Sequence, residues 1–263
     1  MIATRIAHIT DLHFGAEDPA VVAALTEELN ADPPDLVAIS GDLTQGAHIS
    51  EFRAARAFLN GLQAPSLAVP GNHDISPYNL PERFLDPYAR WRRTISSETS
   101  PTWRNESVAV IGLNSARRLG LHWDWSRGRV THMRLAQLLA RLDALPAELV
   151  KVVVMHHPLL PPELAPRTPV AGGAVAALRA LEARKVRLVL AGHLHRGFTR
   201  LASPSGAQPL IVQGATATSV RLRGEPNAYN QITIRPDGDV DLQVRIWDGH
   251  MWTAVAKPST APN

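Results

Sequence analysis

The sequence predicts an α/β protein built largely from parallel, internal strands, and three observations carry that prediction. Short apolar runs alternate with helical patterns through the first three-quarters of the 263 residues, the order expected of βαβ units. Those runs are continuous rather than alternating in polarity, which suits strands covered on both faces. After Gly197 the texture changes to short strands spaced by Pro, Gly and Asp turns, which predicts antiparallel strands closing a sheet.

In order, "RIAHIT" (5–10) reads as a buried strand, and a helix comes next over 18–31. Asp18 can cap that helix and Pro19 sits at its first position, where a missing N–H costs nothing. "LVAIS" (36–40) is the second strand, a helix opens at Ser50 and runs to 62, and "SLAVP" (66–70) is the third strand. "SVAVIGLNS" (107–115), "KVVVM" (151–155) and "RLVLA" (187–191) continue the series, with helices at 131–145 and 173–184. "FTRLAS", "PLIVQGA", "NQITIR", "DLQVRIW" and "MWTAVA" are the late strands. No linker divides the chain, so residues 1–256 read as one domain and the polar "KPSTAPN" (257–263) as a frayed tail.

Composition narrows the chemistry. Lys and Arg exceed Asp and Glu by 27 − 24 = 3 with no basic tract, which argues against a dedicated nucleic-acid binder. Cysteine is absent, so disulfides, thiol nucleophiles and thiolate metal sites are excluded. The N-terminus lacks the pattern of a secretory signal, and no apolar run approaches the ~20 residues of a membrane span. The expected location is the cytoplasm, and a homodimer is an admissible assembly.

The residues at the carboxyl end of each apolar run are more telling. Asp11-Leu12-His13 ends the first strand, Gly41-Asp42 the second and Gly71-Asn72-His73-Asp74 the third. His156-His157-Pro158 comes after "KVVVM", and Gly192-His193-Leu194-His195 after "RLVLA". Any one of these has an ordinary reading as a strand-ending turn. Ligands of open α/β sheets bind at the carboxyl ends of strands, so five strands delivering N and O donors to one edge describe a transition-metal site.

In this series the sequence resembles the calcineurin-like metallophosphoesterase superfamily, whose motifs D-x-H, G-D, G-N-H-D/E, H and G-H-x-H are all present over roughly residues 4–236. The resemblance implies a four-layer α/β/β/α sandwich with two mixed β-sheets. It implies one metal held by Asp11, His13, Asp42 and His195, and a second by Asp42, Asn72, His156 and His193. Mn or Fe suits the nitrogen-rich set better than Mg, with Zn or Co admissible. Two such ions would clamp both oxygens of an in-line displacement at phosphorus and hold the attacking hydroxide between them. Asn72 and His73 would contact the phosphate. His73 would also protonate the leaving group, oriented by its neighbour Asp74. His157 either lines the pocket or is turned away from His156 by strand alternation, while His8, His48, His132 and His250 read as structural or surface residues.

The spelling is most similar to bacterial class III cyclic-nucleotide phosphodiesterases and their glycerophosphodiesterase relatives. The expected reaction is hydrolysis of small phosphodiesters, 3',5'-cyclic nucleotides such as cAMP foremost. The alternative is a glycerophosphodiester, phospholipid or nucleotide-headgroup phosphoesterase. A scaffold without turnover would have lost ligands, and here every ligand position is filled. Selectivity falls to loops 76–105, 117–129, 158–172 and 214–228. Trp123 and Trp125 would serve a base or a lipid equally well. Arg221 and Arg223, two residues apart, would share a face on an extended backbone and grip the diester, or be two solvated arginines on a hairpin.

Overall fold

The computed structural model describes residues 3–77, 79–117, 126–202 and 209–255. The expected tail at 257–263 and both Trp123 and Trp125 lie outside the described residues.

Two six-stranded mixed sheets form the centre. The first holds β1 (Thr4–Ile9), β2 (Leu36–Ile39), β3 (Ser66–Ala68), β10 (Ala228–Ile234), β11 (Val240–Trp247) and β12 (Trp252–Ala254), in the order β12-β11-β10-β1-β2-β3. The second holds β4 (Thr102–Arg104), β5 (Val108–Leu113), β6 (Val150–Met155), β7 (Val186–Ala191), β8 (Phe198–Leu201) and β9 (Leu210–Gln213), in the order β4-β5-β6-β7-β9-β8. The first three strands run parallel, as do β5, β6, β7 and β9.

Strand periodicity explains the layering. Successive side chains point to opposite faces, and here both faces are apolar. Ile6, Leu36, Ala38 and Leu67 of the first sheet meet Val110, Val152, Val154, Leu188 and Val212 of the second in a core between the sheets. Their neighbours Ala7, Ile9, Val37 and Ile39 face outward, beneath α1 (Pro19–Ala31), α2 (Ile49–Gly61) and α4 (Ala89–Thr94). On the far side, Ile111, Val153, Met155 and Val189 pack under α5 (His132–Asp143) and α6 (Ala174–Ala183). Three cores between four layers make the expected α/β/β/α sandwich. Fully buried side chains such as Phe52, Leu25 and Ile111 each stabilise it by about 1.5–3 kcal/mol.

Three details differ from the expectations drawn from sequence. Residues 80–104, expected as loop, contain α3 (Leu80–Leu85), α4 and β4. The late strands do not close one sheet: β8 and β9 join the second while β10 to β12 extend the first. And β9 runs parallel to β7 rather than antiparallel, because β8 takes the edge and leaves β9 an internal place between β7 and β8. Short apolar strands carry no local mark of their neighbours' direction. No helix among the described residues is long and apolar enough to cross a membrane.

Candidate metal centre

The parallel strands of both sheets end at one edge. Asp11 and His13 follow β1, Asp42 follows β2, Asn72 and His73 follow β3, His156 follows β6, and His193 and His195 follow β7. Backbone conformation singles out the same residues. Among the described residues seven non-glycine positions have positive φ, and five of them are Asp11 (φ 53), His13 (φ 50), Asp42 (φ 51), His193 (φ 78) and His195 (φ 56). Such conformations cost about 1–3 kcal/mol each and gather where function demands them. Here they turn side chains back across the strand ends.

Two glycines make room. Gly41 (φ 94) lies against the His156 ring, whose Nδ1 a Cβ would approach to 2.6 Å. A Cβ on Gly71 would strike the Asp42 carboxylate and come within 2.5 Å of its backbone N. Gly71→Ala is therefore expected to displace Asp42 and cut metal affinity at least ~10-fold. Competitive Mn²⁺ titration of the variant checks this, and wild-type affinity would refute it.

The donor atoms converge. One ligand atom from each of Asp11, His13 and His195 lies within 4.8 Å of the others, and the same holds for Asp11, Asp42 and His156. Asp42 Oδ2 is 3.1 Å from His156 Nε2 and 3.8 Å from His13 Nε2, so its carboxylate stands between the two groups. His156 Nε2 also lies 3.2 Å from Asn72 Oδ1. The His193 ring centroid is 5.2 Å from that of His156, and the His193 backbone N–H donates to Asp11 at 2.9 Å.

Tautomers follow from the carbonyl partners. His156 Nδ1–H donates to Ser40 O (2.7 Å), His195 Nδ1–H to Arg221 O (3.0 Å) and His73 Nδ1–H to Gln45 O (2.6 Å). With Nδ1 so engaged, each ring turns Nε2 to the centre, and for His156 and His195 this is the arrangement in which a backbone acceptor orients a metal-ligating imidazole. With two buried carboxylates and the Asn72 carbonyl, this N/O set fits two transition-metal cations.

Charge distribution agrees. Burial alone would raise Asp11 and Asp42, but the surrounding imidazoles hold both carboxylates below the usual range. Burial alone would lower His156, yet Asp42 and Asp11 push it up to about 9. Burial and the neighbouring His156 take His193 down to about 4, so it stands ready as a neutral ligand.

Asp74 does not orient His73. Its buried carboxylate accepts from Gly71 N, Leu43 N, Thr44 N and Thr44 Oγ1 at 2.9 to 3.3 Å, and the Gln45 carbonyl takes the His73 proton instead. Four convergent donors outcompete one imidazole for a buried carboxylate. Burial, then the charge of Asp42, raises Asp74 to about 6. Asp74 braces the turn that carries Asp42 and Gln45.

His157 stays at the site, because β6 has already ended at Met155 and alternation no longer applies. Its ring lies 4.8 Å from that of His193, but Nε2–H donates to Ser126 O (2.8 Å) and Nδ1 is paired with Ser115 Oγ (2.9 Å). Both nitrogens are thus engaged, although one of them lies within 4.8 Å of ligand atoms of His156 and His193. His8 is buried and structural: it bonds Ser40 Oγ and Asn230, behind the carbonyl that orients His156. Arg221 is half-buried beside Gln45, whereas Arg223 is exposed. The expected shared face is absent, because the segment is no strand and turns at Gly224 (φ 84). No sequence motif singles out Gln45, Ser40 or Ser115. The first two act through backbone carbonyls, which no side-chain pattern announces.

Known proteins place this architecture. The family model of calcineurin-like phosphoesterases matches residues 4–197. The chain is 28% identical over 255 residues to a probable cyclic nucleotide phosphodiesterase of Synechococcus sp., covering 91% of each chain. It is 29% identical over 204 residues to a glycerophosphodiester phosphodiesterase of Enterobacter lignolyticus, covering 72% of this chain and 70% of that one. Its fold is similar to a purple acid phosphatase of yellow lupin seeds (TM-score 0.68, 11% identity), covering 96% of this chain but 53% of the lupin enzyme. The strand-end donors, the two-sheet sandwich and the family match lead to one conclusion: the chain belongs to the calcineurin-like phosphoesterases and is a dimetal phosphoester hydrolase.

Proposed function

We propose that the protein is a phosphodiesterase of small diesters, with 3',5'-cyclic nucleotides such as cAMP its foremost substrates. The observation that carries this reading is the complete donor ring, with His73 beside it. The His73 ring stands edge-on to that of His13 at 4.8 Å, and its Nε2 is left over from the bond to Gln45. The name of the Synechococcus relative supports the cyclic nucleotide. That of the Enterobacter relative supports glycerophosphodiesters as the second reading.

In this proposal Asp11, His13, Asp42 and His195 hold one cation, and Asp42, Asn72, His156 and His193 hold the other. Mn or Fe is the metal this donor set suits best. When bound, such a pair supplies Lewis-acid stabilisation of phosphoryl charge and an ionised water as nucleophile. The chain's own residues do the rest. Asn72 and His73 steady the phosphoryl group, and the guanidinium of Arg221, bonded to the same Gln45 that holds His73, offers it a charged donor. Protonated His73 gives its Nε2 proton to the departing oxygen. It ends as the Nδ1–H tautomer that the Gln45 carbonyl holds, so the ring need not turn over during the transfer.

A turnover panel tests the substrate. With Mn²⁺ supplied, kcat/KM for cAMP is expected to exceed that for glycerophosphodiesters by about tenfold or more. The reverse order would transfer the assignment to the second reading. Failure to turn over cyclic nucleotides, glycerophosphodiesters and aryl phosphodiesters alike would end both.

A further inference from the structure

We propose that Gln45 is a positioning residue that holds the proton donor His73 and the metal-binding His195 in register through one side-chain bond to Arg221. The inference rests on the roles proposed above for His73 and His195.

Five residues close a ring of contacts around one half of the site. His195 and His13 face each other, Nε2 to Nε2, at 3.1 Å. The His13 ring meets His73 edge-on at 4.8 Å, and His73 Nδ1–H donates to the Gln45 carbonyl at 2.6 Å. Gln45 Oε1 accepts from Arg221 Nη1 at 3.1 Å. The Arg221 carbonyl accepts from His195 Nδ1–H at 3.0 Å, which returns to the start. Among the described residues Gln45 is the one protein acceptor of the Arg221 guanidinium, and this bond is the only link of the ring made between two side chains outside the histidines.

Gln45 is the anchored end of that link. Its turn is held at Thr44 by Asp74 (2.9 Å), and at Gly46 and His48 by the Glu51 carboxylate (2.8 and 3.0 Å). Arg90 Nη1 holds Ala47 O at 2.6 Å, where the backbone has φ 55. The Arg221 end is held by Val220 N–H to Ala16 O (2.9 Å), Arg221 N–H to Ser219 Oγ (3.1 Å) and Arg196 Nε–H to Arg223 O (3.2 Å). Thr216 and Thr218 pin the start of its segment to the carbonyls of Asp11 and Leu12, but by Leu222 and Arg223 the chain is exposed. Losing the bond would remove the side-chain tie that fixes Arg221, and so loosen the carbonyl that orients His195. An oriented carbonyl partner is worth about 10–100-fold in metal affinity. The same loss would free the half-buried Arg221 guanidinium from Gln45.

The test is a double-mutant cycle read by Mn²⁺ affinity, with diester kinetics alongside. Gln45→Ala, Gln45→Met and Arg221→Ala all keep both backbone carbonyls and remove the side-chain link that positions them. Each is expected to weaken Mn²⁺ binding about tenfold, and Gln45→Ala/Arg221→Ala to weaken it by the same tenfold, since one bond is lost either way. Gln45→Glu keeps an acceptor for the guanidinium and should bind Mn²⁺ as the wild type does. Gln45→Met fills the volume of glutamine, so a loss there as well as in Gln45→Ala rules out a packing defect. Wild-type affinity in Gln45→Met, or a double variant weakened ~100-fold, would overturn the proposal. A wild-type protein that binds Mn²⁺ but turns over no diester would end the phosphodiesterase reading, and the affinity cycle would still decide for or against Gln45.

Discussion

Replacing Asp42 is expected to reduce diester hydrolysis by on the order of 10³-fold or more and to lower bound metal from two ions per chain to fewer than one. Its carboxylate reaches donors in both halves of the site. Its Oδ2 lies 3.1 Å from His156 Nε2 and 3.8 Å from His13 Nε2, and its Oδ1 accepts from the His73 backbone N–H at 2.8 Å. Losses at His13 or Asn72, each on one side only, should be smaller. The choice of substituent matters, because Asp42 has φ 51 and Asn tolerates that conformation better than Ala. Asp42→Asn should therefore fold like the wild type and still lose activity, while Asp42→Ala loses stability as well. Metal analysis by mass spectrometry and thermal melts of both variants measure this. Full activity in Asp42→Asn, or in wild type stripped by a chelator, would sink the two-metal assignment.

His73→Gln separates proton donation from phosphate binding. If His73 protonates the departing oxygen, the variant should slow hydrolysis of an alkyl diester by ~10²–10⁴-fold. A p-nitrophenyl diester should suffer far less, because p-nitrophenolate departs without a proton. Metal content should stay at the wild-type level, since the His73 ring bonds the Gln45 carbonyl and belongs to neither proposed ligand set. Equal losses with both leaving groups would make His73 a phosphate-orienting residue.

Much of this architecture was legible in the chain. Continuous apolar runs announced strands buried on both faces, and the structure distributes their alternate residues between an inter-sheet core and two outer ones. The Asp, Asn and His residues after those runs do converge, because every parallel strand that carries them ends at the same edge. Strained turns at Asp11, His13, Asp42, His193 and His195 could not be read locally, and neither could the crowding at Gly41 and Gly71, where a Cβ would strike His156 and Asp42.

Other features depended on partners remote in sequence. Asp74 follows His73 directly, yet its carboxylate is claimed by Leu43, Thr44 and Gly71. His157 follows His156, yet Ser115 and Ser126 occupy both its nitrogens. Gln45 gave no signal at all, because its bond to His73 runs through a backbone carbonyl that every residue type possesses.

The division has a physical cause. By itself the sequence determined which residues bear donor atoms and that each stands at a strand's carboxyl end, since side-chain chemistry and strand periodicity are local properties of the chain. Only the tertiary structure decided which nitrogen of His73, His156 and His195 faces the centre, that Asp74 braces a turn rather than a histidine, and that Arg221 and Gln45 meet across 176 residues of sequence. Those outcomes depend on how the two sheets stack and where their strand ends come to rest, and distances between segments remote in sequence are set by packing.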